Sequence, residues 1–277
     1  MPYLNAGKVR IHYHTFGEGE PIVFIPGLCG DLYNWRRMVP MLEDRYHIVL
    51  MDNRGSGLTE APDMQFNMGD MADDVSDLMS GLGFSRYHVL GWSMGGNVAQ
   101  ELAIRHPNEV ISLILMSTYT RRPDRSSYAI DAMLNSVAEG ASIHNFMQMM
   151  NTWCLTQSHY AGRRLIPKRL REGDEVKMFQ GFIRQKRALD DFDSSHYVHL
   201  IRCPTLVIHG EEDIMVPHHM GIDLAGRILD NEIVIIPNAG HIIPPENCSS
   251  YIRAFLARHS VEISNASSEQ ATSLARD

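Results

Sequence analysis

A serine flanked at two residues' distance by glycines, Gly91-Trp92-Ser93-Met94-Gly95, is the segment of this sequence best suited to chemistry. It follows the strand-like run Tyr87-His88-Val89-Leu90 and precedes the helix-like Gly96-Asn97-Val98-Ala99-Gln100-Glu101-Leu102-Ala103. A serine on a sharp strand-to-helix turn takes strained dihedrals that lift its hydroxyl above the sheet, so the residues two positions away must lack side chains. The helix that follows adds a partial positive charge and a free N–H, that of Met94, where negative charge would develop on a carbonyl oxygen. An ordinary tight turn would ask for the same two glycines, so the motif needs partners before it means catalysis.

A hydroxyl is a weak nucleophile at neutral pH and needs a base, itself oriented by a carboxylate. Two later segments supply both. Pro204-Thr205-Leu206-Val207-Ile208-His209 reads as a strand and runs into Gly210-Glu211-Glu212-Asp213, with three carboxylates in a row. Glu232-Ile233-Val234-Ile235-Ile236-Pro237 also reads as a strand and runs into Asn238-Ala239-Gly240-His241. Each candidate lies just past the C-terminal end of a strand, where open α/β sheets place their sites.

Those elements belong to a longer rhythm. Short β-branched runs alternate with longer segments of helical spacing, which predicts a mostly parallel sheet. Val9–Tyr13 and Pro21–Ile25 read as the first strands, followed by His47–Met51, Tyr87–Leu90 and Ile111–Leu115, each of the last three preceded by a helix-like stretch. The rhythm stops near Thr118. Residues 119–199 are rich in Met, Arg and aromatics at helical spacing and read as an inserted helical unit, after which the sheet resumes. The segment 261–277 is polar and small, too poor in apolar groups to offset the entropy of ordering, and is expected to be disordered.

In this setting the chain resembles the α/β-hydrolase family over residues 1–260, in its serine-nucleophile branch. The motifs that carry the resemblance are Ile25-Pro26-Gly27-Leu28 with Trp35 downstream, Met51-Asp52-Asn53-Arg54-Gly55-Ser56-Gly57, Gly91–Gly96, His209–Asp213 and Gly240-His241. The resemblance implies an α/β-hydrolase fold, with a mostly parallel sheet flanked by helices and a helical cap (119–199) inserted after the sixth strand, the core being formed by 1–118 and 200–260. It implies Ser93 as nucleophile, His241 as base, Asp213 as acid, three positions after Gly210, and the backbone N–H groups of Leu28 and Met94 as oxyanion hole. Relatives that carry the acid after the preceding strand have no counterpart here, because Met116-Ser117-Thr118-Tyr119 holds no carboxylate. Asp52 and Arg54 are expected to brace a turn beside the site.

The same resemblance narrows the reaction. Haloalkane dehalogenases and epoxide hydrolases of this fold use aspartate at the nucleophile position, so Ser93 argues against displacement at saturated carbon. Phe179-Gln180-Gly181 and Ile201-Arg202-Cys203-Pro204 are similar to the branch of enol-lactonases and pyrimidine-catabolism carbamate hydrolases. Two departures stand out: Pro26 replaces a usual histidine before Gly27, and Ile242 follows His241 where hydrolases of ring-cleavage products usually carry an aromatic. The expected function is hydrolysis of small to medium, largely apolar carboxylic esters or lactones. C–C bond hydrolysis is the alternative reaction, and a ligand sensor of the same fold with little turnover is the alternative class. Trp92, Met147, Met150, Trp153, Phe179 and Ile242 are the candidate substrate contacts.

Composition bounds the rest. The 277 residues are 44% hydrophobic and 21% charged, ordinary for a globular chain that needs no staples. Lys plus Arg number 25 against 33 acidic residues, giving −8, and no basic stripe suggests nucleic acid or an anionic membrane. No apolar run approaches the ~20 residues of a membrane span, and the start lacks a signal-peptide pattern. Cys29, Cys154, Cys203 and Cys248 lie far apart, as expected of reduced thiols in a cytoplasm. His12 with His14 and His218 with His219 lack an evident third ligand, so neither metal nor cofactor is expected. The partner is a small ester or lactone, and the chain is expected to be a monomer or homodimer.

Overall fold

The computed structural model describes residues 2–7, 9–60, 64–162 and 174–261. Its frame is one sheet of eight strands: β1 (Tyr3–Ala6), β2 (Val9–Phe16), β3 (Glu20–Ile25), β4 (Tyr46–Met51), β5 (Tyr87–Trp92), β6 (Val110–Met116), β7 (Thr205–Gly210) and β8 (Asn231–Ile236), in the order β1-β2-β4-β3-β5-β6-β7-β8. Only the β1–β2 and β2–β4 pairs are antiparallel; the other five are parallel. This is the α/β-hydrolase arrangement.

The side-chain period of two explains why the central strands read as unbroken apolar runs. In β3, Val23 and Ile25 enter one core while Ile22 and Phe24 enter the other, and β4 repeats this with Val49 and Met51 against Ile48 and Leu50. Both faces are buried, so both sets must be apolar. On the first face lie α1 (Met68–Gly81), α2 (Met94–Arg105) and α7 (His218–Gly226); on the second lies α8 (Pro245–Arg258), through Ile252, Phe255 and Leu256. The start of α1 is fixed by a reciprocal capping box between Asn67 and Asp70.

Between β6 and β7 the chain forms α3 (Asp124–Ala138), α4 (Ile143–Cys154), the single turn α5 (Gln157–Tyr160) and α6 (Asp174–Asp190). Phe146 and Phe182 from this helical segment are 0% and 3% exposed and join the core of the first face.

Two details depart from the sequence expectation. The stretch before β4 is not an α-helix but two 3-10 turns, Leu32–Trp35 and Val39–Met41, the second with Pro40 at its centre, which fixes φ and donates no N–H. The edge strand β1 has no counterpart in the sequence pattern. The tail from residue 262 onward lies outside the described residues, and among those described no helix is long and apolar enough to cross a membrane.

Candidate active site

Strands β5, β6, β7 and β8 are neighbours and parallel, so their C-terminal ends share one rim, and everything that follows happens there. Ser93 is the hinge between β5 and α2, at φ 55° and ψ −120°. For a serine that backbone is strained by about 1–3 kcal/mol, so its surroundings must hold it. Its N–H donates to Met116 O at 2.8 Å, and its carbonyl accepts from Gly96 N and from Thr118 Oγ1, both at 2.8 Å. A Cβ on Gly91 would run into the Gly95 carbonyl, and one on Gly95 into the carbonyls of Ile25 and Pro26. The two glycines are therefore a steric requirement of the elbow.

Beyond β7, the turn Gly210-Glu211-Glu212-Asp213 closes through Asp213 N to Gly210 O at 3.2 Å. Glu211 and Glu212 face solvent, whereas Asp213 is 4% exposed. One of its oxygens, Oδ1, accepts the N–H groups of Met215 (2.9 Å) and Val216 (2.8 Å); the other, Oδ2, meets His241 Nδ1 at 2.8 Å and His209 Nε2 at 3.3 Å. Burial pushes this carboxyl up, but the charge of His241 and hydrogen bonds from both imidazoles outweigh it and hold the group at about 2.

His241 follows β8 after Asn238-Ala239-Gly240 and is 3% exposed. Its position is fixed from two sides, by Trp92 Nε1 donating to its carbonyl at 3.0 Å and by Ile242 N donating to Cys154 O at 3.1 Å. An ionised carboxylate only accepts, so Nδ1 carries the proton toward Asp213. In the neutral ring that leaves a lone pair on Nε2, which lies 2.8 Å from Ser93 Oγ. The three side chains, from positions 93, 213 and 241, thus form one hydrogen-bonded chain that can draw the proton from the hydroxyl.

The amide candidates lie close by. Leu28 lines the same cavity as Ser93 and His241, and Met94 opens α2, so its N–H has no acceptor within the helix. Asp52 braces this region: it accepts Leu32 N at 2.8 Å and Leu58 N at 2.9 Å and meets His12 Nδ1 at 2.7 Å. Arg54 turns away to form a bidentate pair with Asp74.

The cavity over Ser93 measures about 70 Å³. Of the six candidate substrate contacts, Trp92 and Met150 line it. Ile242 and the other side of Trp92 line a neighbouring groove of about 380 Å³. Met147, Trp153 and Phe179 pack against the core, with Phe179 edge-on to Phe146 at 5.4 Å and Arg125 standing over Trp153 at 5.3 Å. Among the described residues no group of three His, Cys, Asp or Glu could hold a metal.

Neither Arg122 nor His209 stands out in the sequence as a site residue. Arg122 lines the cavity six residues past β6, and its only sequence signal is an ionisable side chain shortly after a parallel strand. His209 ends β7, and nothing short of the fold shows that it faces Asp213.

Comparison with known proteins agrees with this frame. A family model described as the α/β hydrolase fold matches residues 20–247. A Caulobacter sp. (strain K31) protein named "Putative carbamate hydrolase RutD" is 28% identical over 276 residues, covering 92% of this chain and 98% of its own. A 2-hydroxy-6-oxo-6-(2'-aminophenyl)hexa-2,4-dienoic acid hydrolase of Metapseudomonas resinovorans is 26% identical, covering 92% and 90%. The crystal structure of the enol-lactonase from Burkholderia xenovorans LB400 superposes with a TM-score of 0.81 at 24% identity, covering 92% of this chain and all of that one.

Proposed function

The chain belongs to the α/β-hydrolase fold family, and from that premise we propose that it is a serine hydrolase cleaving a carboxylic ester or lactone through an acyl-enzyme on Ser93. The observation that carries this reading is the unbroken chain from Ser93 Oγ to His241 Nε2 and from His241 Nδ1 to Asp213 Oδ2, 2.8 Å at each link.

His241 takes the serine proton as Oγ adds to the substrate carbonyl. The imidazolium that forms is stabilised by Asp213, which stays ionised. The carbonyl oxygen, now negative, is received by the N–H groups of Leu28 and Met94. Nε2 then returns its proton to the leaving alkoxide, and the ester C–O bond breaks. Water, deprotonated by the same nitrogen, attacks the acyl-enzyme and releases the acid. The Burkholderia relative acts on an enol-lactone and the Caulobacter relative is named for carbamates. In both classes, as in an ester, the scissile carbonyl bears a heteroatom, and that is the bond class we assign here. A cavity of about 70 Å³ favours a short chain on at least one side of it. Four unpaired cysteines suit a reducing compartment such as the cytoplasm.

A fluorophosphonate probe should label Ser93, with steady turnover of p-nitrophenyl butyrate, and Ser93→Ala should lose both, kcat dropping by about 10⁶. Stoichiometric ligand binding without turnover would make the chain a sensor and end the proposal.

A further inference from the structure

Arg122 is the one permanently charged side chain among the described residues that line the Ser93 cavity. Its side chain is 8% exposed, and Nη1 donates to Asp190 Oδ1. Nη2 is buried and has no partner among the described residues. A buried donor left unmade costs about 1–3 kcal/mol, and more on a charged group, so an orphan of this kind calls for an explanation.

The backbone just before the arginine is anchored. The carbonyl of Tyr119 accepts two side-chain amides from α2, Asn97 Nδ2 at 2.8 Å and Gln100 Nε2 at 3.0 Å, and Thr120 O accepts Ser194 N at 2.9 Å. The helix that begins at Ser93 therefore also anchors the segment that carries Arg122.

Its charge is only partly matched. Asp190 gives one oxygen to Arg122 and the other to Lys186 Nζ at 2.6 Å, and Lys186 is shared in turn with Asp131 at 2.6 Å. The carboxylates of this chain stand at its outer end, where Asp131 and Asp190 are 54% and 37% exposed. Solvent screens that end, while the buried Nη2 stays unpaired among the described residues. Burial also lowers the arginine's pKa, a sign of incomplete compensation.

Resting on the serine-hydrolase reading above, we propose that Arg122 Nη2 receives a carboxylate carried by the substrate, so the natural substrate is a short acid ester or lactone bearing a second, free carboxylate. A guanidinium with one prong occupied pairs well with a carboxylate oxygen through a charge-assisted hydrogen bond, and a neutral ester group in that place would leave the buried charge uncompensated. This narrows the expectation of a largely apolar substrate in one respect: the walls are apolar, with a cation set among them.

The test uses matched monoethyl and diethyl esters of succinate, glutarate and adipate, with proton release followed in a pH-stat. Within each pair the molecules differ only in the charge of the far group, and the series brackets its distance from the reacting carbonyl. For at least one chain length the wild type should prefer the monoester by about tenfold or more in kcat/KM, and Arg122→Met should lower that ratio by about tenfold to a hundredfold. Arg122→Lys, which keeps the charge but not the fork, should fall between. If the diesters are as good or better at every length, or the ratio is unmoved in Arg122→Met, the assignment is wrong; the wild-type ratio decides alone should that variant not fold.

Binding gives a readout independent of turnover. Ser93→Ala should bind the preferred monoester in calorimetry, and Ser93→Ala/Arg122→Met should bind it at least tenfold more weakly. Turnover of esters with no preference for charge overturns only the role of Arg122. Absence of turnover and of Ser93 labelling, with charge-selective binding retained, overturns only the hydrolase reading.

Discussion

Two imidazoles share one carboxylate oxygen: Asp213 Oδ2 lies 2.8 Å from His241 Nδ1 and 3.3 Å from His209 Nε2. The nearer contact of His209 Nε2 is Val216 O at 2.8 Å, an acceptor, so that nitrogen carries a proton and presents it to both. With Met215 N and Val216 N on Oδ1, the carboxylate has donors on every side. It is a preorganised anion, held before substrate arrives.

Such an anion links stability to pH. Its folded-state value of about 2 lies well below the ordinary aspartate range, so the stabilisation is full above about pH 4 and lost as pH falls through about 2. The shift corresponds to about 2 kcal/mol. Urea unfolding of the wild type and Asp213→Asn, measured in steps between pH 6 and pH 2, should show a gap that narrows over that acid window. A gap constant with pH would mean the carboxylate is not held as the contacts indicate.

The same replacement tests the tautomer. An amide at position 213 can turn its NH₂ toward His241 Nδ1, which moves the imidazole proton to Nε2 and removes the lone pair that faces Ser93. Asp213→Asn should therefore lower kcat by about 10⁴ with little change in KM. Steady-state kinetics beside a circular dichroism spectrum separates this from misfolding.

Cysteine chemistry should be silent in the native protein. Cys154 lines the Ser93 cavity, yet burial pushes its thiol up to about 12, and burial does the same to Cys29, Cys203 and Cys248. Thiolate is the reactive form, so at pH 8 all four should resist iodoacetamide while the protein is folded, and hydrolase activity should survive. In urea all four should alkylate. Intact-mass measurement reads both states.

How far the sequence shows this arrangement depends on what fixes each element. Strands buried on both faces, such as Val110–Met116, announce themselves as apolar runs, and the glycines around Ser93 record a local steric need. The edge strand Tyr3–Ala6 does not, because four residues with mixed exposure carry no pattern of their own and β2 alone defines them. Arg122 is harder still. It lies in a loop, and the carbonyls just before it, of Tyr119 and Thr120, are held by Asn97, Gln100 and Ser194, contacts that exist only after the chain has folded. Among the apolar residues of the inserted segment, composition does not separate Met150, which meets the cavity, from Phe179, which meets Phe146.

The indole of Trp92 lines both cavities and bonds to the backbone of His241. Its Nε1 donates to the carbonyl of His241 at 3.0 Å, and the two rings stand 5.5 Å apart, tilted at 45°. Trp92→Phe keeps an aromatic wall and removes the donor. A lost neutral hydrogen bond of this kind is worth about 0.5–1.5 kcal/mol, or about twofold to tenfold. If the bond positions Nε2 for proton transfer, that loss falls on kcat; if Trp92 serves mainly as a wall for substrate, it falls on KM. The geometry, with the indole N–H bonded to the backbone carbonyl of His241 itself, predicts the first. Trp92→Phe should lower kcat by about twofold to tenfold with KM close to that of the wild type. Steady-state kinetics on p-nitrophenyl butyrate reads the split, and a change confined to KM would move Trp92 from the support of His241 to the substrate side of the site.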